Sequence, residues 1–104
     1  MKELTKQTFS SEIKGTKPAI IDFWAEWCGP CRALSPILED LSKEFGEKMK
    51  FFKVNVDEHP ELSQEHHVMA IPTVIFYKNS KIVDQFTGAY PKNEIKKKIE
   101  AILK

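Results

Sequence analysis

The run Ala19-Ile20-Ile21-Asp22-Phe23-Trp24-Ala25 is apolar but for Asp22 and rich in residues that favour extended backbone. It predicts a strand buried on both faces, hence a sheet with helices on either side. Further on, Leu34, Ile37, Leu38, Leu41 and Phe45 recur at helical spacing until Gly46 closes the segment. Pro36 falls inside that helix and is expected to kink it. Phe51-Phe52-Lys53-Val54-Asn55-Val56-Asp57 alternates in part and predicts a second strand, followed by a short helix from about Pro60 to His66. Thr73–Tyr77 and Lys81–Phe86 are two more β-runs, separated by the hairpin signal Lys78-Asn79-Ser80. Ile95, Ile99, Ile102 and Leu103 define a terminal helix, with Pro91 near its first turn. At the other end, Leu4, Phe9 and Ile13 predict a short amphipathic helix closed by Gly15, with Pro18 just beyond. Strand–helix–strand units followed by a hairpin and a helix give an α/β architecture, a mixed sheet covered on both faces.

The 104 residues suffice for one domain with a real core and are too few for two, so residues 1–104 are read as a single domain. Sixteen basic and fifteen acidic side chains leave a net charge of +1, which gives no bias toward nucleic acid or anionic membrane. Lys96-Lys97-Lys98 is a short basic run, read as a solvated helix face. The N-terminal Met1–Gln7 segment is polar and lacks an apolar core, so no secretory signal is expected. No run approaches the roughly 18 apolar residues needed to cross a bilayer. A soluble cytoplasmic protein is therefore expected, in a reducing compartment where a cysteine pair is more often transient and catalytic than structural.

The chain has two cysteines, in Trp27-Cys28-Gly29-Pro30-Cys31. A single C-x-x-C pair cannot supply the four ligands of a structural zinc site. As a staple it is also poor: closing a loop of about four residues stabilises a fold by ~2 kcal/mol, against ~4.7 for a loop of about 100. The motif lies where the buried strand turns into a helix. Residues three apart on a helix are neighbours, so the two sulfurs can bond without large backbone movement. Gly29 permits the tight turn, and Pro30 suits the first helical turn because its missing N–H is not needed there. The pair is best read as a thiol–disulfide switch. First-turn amides and the positive end of the helix dipole favour a thiolate at Cys28, by about 0.3–1 kcal/mol. Cys28, ahead of the helix, is expected to be the exposed attacker and Cys31, inside the first turn, the buried resolver.

Over essentially its whole length the sequence resembles the thioredoxin family. The resemblance is carried by Phe23-Trp24-Ala25-Glu26-Trp27-Cys28-Gly29-Pro30-Cys31, Lys53-Val54-Asn55-Val56-Asp57, Ile71-Pro72-Thr73 and Gly88. It implies the thioredoxin fold, a mixed central β-sheet flanked on both faces by α-helices. It also implies a catalytic set of Cys28, Cys31, Asp22 and Lys53, in which Asp22 is the buried carboxylate that accepts the Cys31 proton through water and Lys53 its neighbour. An Asp in an apolar strand should have its pKa raised toward neutrality by desolvation, and the lysine should partly oppose that rise. The alternatives are a polar residue at a strand edge for Asp22 and an exposed strand lysine for Lys53. A substrate groove is implied from Trp27, Gly29, Pro30, Ile71, Pro72 and Gly88, with Pro72 in a cis peptide bond and the Ile71 backbone free to bond an extended peptide. Trp24 corresponds to the tryptophan packed behind the site.

Three positions depart from the family pattern. Ser80 stands in the hairpin where glycine is common, which leaves the turn type open. Met69-Ala70 replaces a glycine-containing approach to Ile71-Pro72, so the groove rim is expected to be more apolar or more crowded. His66-His67 is unusual there. With His59 it raises the thought of a metal, but no carboxylate or cysteine completes a ligand set, and surface histidines are the simpler reading.

The function expected is reduction of protein disulfides by dithiol–disulfide exchange, contributing to cellular redox homeostasis. No cofactor is expected on the chain itself. The resemblance implies a monomer that reduces disulfide-containing proteins and is recycled by thioredoxin reductase with electrons from NADPH. A disulfide oxidase or isomerase on the same fold is one alternative, although such relatives commonly place histidine between the cysteines where this chain has Gly29-Pro30. A partner-binding module, in which the thiols matter little, is another.

Overall fold

The computed structural model describes all 104 residues, Met1–Lys104. In chain order the elements are β1 (Lys2–Glu3), α1 (Phe9–Glu12), β2 (Ala19–Trp24), α2 (Gly29–Phe45), β3 (Lys50–Asn55), α3 (Pro60–Glu65), β4 (Thr73–Lys78), β5 (Lys81–Thr87) and α4 (Lys92–Ile102). One five-stranded sheet runs β1-β3-β2-β4-β5. The pairs β1–β3 and β2–β3 are parallel, while β2–β4 and β4–β5 are antiparallel, so the sheet is mixed.

Strand β2 holds the centre because both its faces are apolar. Ile20 packs with Leu34, Leu38, Leu41, Val74, Phe76, Ile95 and Ile99, a core built under α2 and α4. Ile21 and Phe23 join Leu4, Phe9, Phe52, Val54, Leu62 and Ile75 on the opposite face, under α1 and α3. Burying a leucine or isoleucine side chain contributes about 1.5–3 kcal/mol, so these two clusters dominate the fold.

Two expectations change here. The N-terminal helix is shorter than the spacing of Leu4, Phe9 and Ile13 implied, because Leu4 follows a two-residue edge strand and donates its N–H to the Lys53 carbonyl at 2.8 Å. Helix α2 runs from Gly29 to Phe45 with Pro36 inside it. In the β4–β5 hairpin, Asn79 and Ser80 take φ of 54° and 63°, the signature of a type I′ turn, so Ser80 adopts the left-handed conformation that glycine commonly supplies. The Lys96–Lys98 run is not simply solvated: Lys96 pairs with Glu44 at 2.7 Å and Lys98 with Asp84 at 3.0 Å. Such exposed pairs, screened by solvent, add little to stability. No helix is long and apolar enough to cross a membrane.

Candidate functional site

The site lies at the carboxyl ends of β2 and β3, where the chain leaves β2 through Ala25–Trp27 and enters α2. Cys28 is the N-cap of α2, and its sulfur accepts from the Cys31 N–H at 3.2 Å. The two cysteines form a disulfide with Cα atoms 5.2 Å apart, within the range a disulfide needs. Both are nearly closed off, with Cys28 at 4% exposure and Cys31 at 3%. The expectation of an exposed Cys28 is therefore corrected. It packs against Ala25 and Cys31, and its sulfur sits 3.8 Å from the Ile71 carbonyl oxygen. The two residues differ in surroundings rather than exposure: Cys28 abuts the Ile71 backbone, and Cys31 borders a small cavity shared with Asp22.

Asp22 is mid-strand and 3% exposed, so it is no strand-edge residue. Its pKa is raised from 3.8 to about 7, by burial above all and against the opposing pull of Lys53. Lys53 stands in register opposite on β3, with its ammonium 4.9 Å from the Trp24 ring centre. Trp24 is half-buried beside the disulfide, and its indole N–H has no protein partner.

The loop carrying Ile71 and Pro72 is pinned from several directions. Their peptide bond is cis. The Thr73 hydroxyl donates to the Ala70 carbonyl at 2.6 Å, and the Gly88 N–H donates to the Pro72 carbonyl at 2.8 Å. Gly88 has φ of 100°, a conformation open to glycine at little cost. Beside this loop runs a groove of about 450 Å3 lined by Trp27, Val56, Ser63, Val68, Met69 and Ile71, among others. Met69 is 94% exposed, so the rim is more apolar but not crowded. Trp27 stands 67% exposed, and its indole N–H donates to Asp57 at 2.9 Å. Asn55 accepts from the Asp57 and Glu58 N–H groups, which fixes that partner in place.

Of the residues singled out from sequence, Trp27 and Ile71 share the groove, and Asp22, Cys31 and Lys53 share the cavity. Pro72 is buried behind the groove. Gly29 and Pro30 are exposed first-turn residues outside its lining. His66 is not a surface histidine. Its ring contacts Leu62 and Tyr77 at 2.7 and 2.6 Å and packs 4.8 Å from the Phe9 ring. No group of three His, Cys, Asp or Glu side chains converges to hold a metal. Sequence reasoning missed Asp57, Val68 and Ser35. Ser35 was open to detection, since it follows Cys31 by four residues and so shares its helix face.

A disulfide-forming pair at a helix start, beside the Ile71 carbonyl and a cavity that holds a buried carboxyl, defines a dithiol–disulfide oxidoreductase. The thioredoxin family model matches residues 1–101. The chain is 40% identical over 100 residues to the thioredoxin of Alicyclobacillus acidocaldarius, covering 96% of this chain and 95% of that one. It is 44% identical over 99 residues to thioredoxin 2 of Chlorobaculum tepidum, covering 94% and 91%. The chloroplastic M-type thioredoxin of Pisum sativum is 45% identical over 88 residues, covering 85% of this chain and 51% of that one. Among solved structures, the thioredoxin of Malassezia sympodialis superposes with a TM-score of 0.92 at 34% identity, covering 100% of this chain and 91% of that one. The chain belongs to the thioredoxin family.

Proposed function

We propose that the protein reduces disulfides in extended polypeptide segments, with Cys28 as the attacking and Cys31 as the resolving sulfur. The observation that carries this is the split environment of the pair: Cys28 beside the Ile71 carbonyl at the peptide-binding loop, Cys31 beside Asp22. In the reduced protein, the Cys28 thiolate attacks one substrate sulfur, and the other leaves as a thiolate and takes a proton. Cys31 loses its proton to Asp22 and attacks the Cys28 sulfur, releasing the second substrate sulfur. Two electrons pass to the substrate, and the protein is left with the Cys28–Cys31 disulfide. A carboxyl titrating at about 7 is matched to a proton transfer near neutral pH. Lys53 tempers that titration through its charge.

The groove wall from Trp27 to Ile71 receives the substrate chain, Pro72 and Gly88 hold the Ile71 backbone presented to it, and Gly29 and Pro30 form the approach over the sulfurs. Gly29-Pro30 between the cysteines, together with the relatives' names, supports a reductase over an oxidase or isomerase. The whole set of groups comes from one chain folded as one domain, consistent with action as a monomer. The oxidised form is recycled by a thioredoxin reductase drawing on NADPH, in a cytoplasmic setting. An insulin-disulfide reduction assay tests the reading. Turnover with reductase and NADPH is expected, and its loss in Cys28→Ser and Cys31→Ser. Retention of function in the double variant would instead favour a docking role.

A further inference from the structure

Beneath Cys31 lies a cavity of about 100 Å3 walled by Asp22, Trp24, Cys31, Arg32, Ser35 and Lys53. Two buried polar atoms of these residues have no protein partner, Oδ1 of Asp22 and Nε1 of Trp24. Buried polar atoms are paired in the great majority of cases, and an unpaired one is costly. Water admitted to this cavity would serve both atoms at once. A site needs only about 10–15 Å3 of such volume to admit one molecule, and two to four polar groups to hold it.

The wall groups differ in what they offer. Trp24 Nε1, Lys53 and Arg32 donate, and the Asp22 carboxylate accepts. The Ser35 hydroxyl is the neutral oxygen in the wall that does both. It lies one turn beyond Cys31 on the same face of α2. The helix does not use it either: Ser42 donates its hydroxyl to the Glu39 carbonyl at 2.6 Å, whereas Ser35 has no protein partner.

We propose that Ser35 is a positioning residue of the resolving step, holding water together with Trp24 Nε1 so that a proton passes from the Cys31 thiol to the Asp22 carboxylate. The inference rests on the reductase reading and assigns it a further residue. The Cys31 S–H bond breaks, its proton goes to water, and a water proton goes to Asp22. The Cys31 thiolate is then left to attack the Cys28 sulfur of the mixed disulfide. No oxidant or reductant beyond the substrate is consumed. The charged groups around Asp22 are Lys53 from β3 and Arg32 from α2, while β4 sets the apolar Val74 in register opposite it.

Ser35→Val and Ser35→Thr have nearly the same shape, and only the second keeps the hydroxyl. The reduced proteins are mixed with a chromogenic aryl disulfide. Single-turnover rates of attack by Cys28 and of resolution by Cys31 are followed across pH, alongside NMR titration of the Asp22 carboxyl. Ser35→Val is expected to slow resolution at neutral pH about three- to tenfold and to move both the pH profile and the Asp22 titration upward. Attack by Cys28 should be unchanged, and Ser35→Thr should restore wild-type behaviour. Wild-type resolution in Ser35→Val overturns the proposal, and so does a Ser35→Thr as slow as Ser35→Val. Should the valine variant not fold, Ser35→Ala is expected to shift in the same direction, and wild-type behaviour there is equally fatal. Wild-type protein that fails to attack the probe defeats the reductase reading too. Normal attack with resolution indifferent to Ser35 defeats this inference alone.

Discussion

Asp22 and Lys53 stand in register across the β2–β3 pair, yet no ion pair closes between them, and the lysine ammonium lies over the Trp24 ring instead. The carboxyl is thus buried with a cation near enough to feel and too far to neutralise it. Desolvation wins over attraction, and the group titrates at about 7.

That balance has a consequence for stability. Because the folded pKa lies above the unfolded value, the folded state binds the proton more tightly, and stability falls as pH rises from about 4 through 7. A rise from 3.8 to about 7 is equivalent to about 4 kcal/mol when complete. Asp22→Asn, which stays neutral, should therefore be more stable than wild type at pH 8, with the difference shrinking toward pH 4. Denaturant unfolding of both proteins across that range checks it. A difference independent of pH contradicts it. The same variant should resolve mixed disulfides slowly.

Trp27 meets solvent on one side and the apolar groove on the other, anchored through its indole N–H to Asp57. Trp27→Ala should raise KM for protein disulfides several-fold while leaving reduction of a small aryl disulfide close to wild type. Its stability should change by less than about 1 kcal/mol, as expected for an exposed side chain. Asp57→Ala, which frees the indole without removing it, should give a smaller effect in the same direction. Equal losses on small and large substrates are the contrary result in steady-state assays.

His66 ties α3 to the sheet. The Leu62 carbonyl can only accept, so Nδ1 donates to it, and Nε2 shares a hydrogen bond with the Tyr77 hydroxyl. His66→Ala should destabilise the protein by about 2–3 kcal/mol and Tyr77→Phe by about 1 kcal/mol. The pair should couple by about 0.5–1.5 kcal/mol in a double-mutant cycle of unfolding free energies. Strict additivity contradicts the bond, and cysteine reactivity should not change.

How far the sequence spoke depended on whether a residue's partners were near it in the chain. Ala19–Trp24 was legible as a doubly buried strand because its own apolar content demands cover on both faces. Helix α2 declared itself through Leu34, Leu38, Leu41 and Phe45, and the cysteine spacing placed the disulfide at its start. Strand β1 was not legible. Lys2 and Glu3 are exposed, and their pairing with Phe52 and Lys53 is a backbone event without a side-chain pattern. His66 was misread for a similar reason, since its meaning comes from Tyr77 on another element and from the Phe9 and Phe23 rings. The burial of Cys28 arises from the Ile71 loop folding over it, which spacing within its own motif does not report.

The whole account depends on unequal sulfurs, and timed alkylation of the reduced protein with iodoacetamide at neutral pH measures that inequality directly. Cys28 should be modified first and faster than an unstructured peptide thiol, with Cys31 labelled far more slowly. Equal labelling of the two, or a Cys28 no quicker than the peptide, contradicts the division of labour between them.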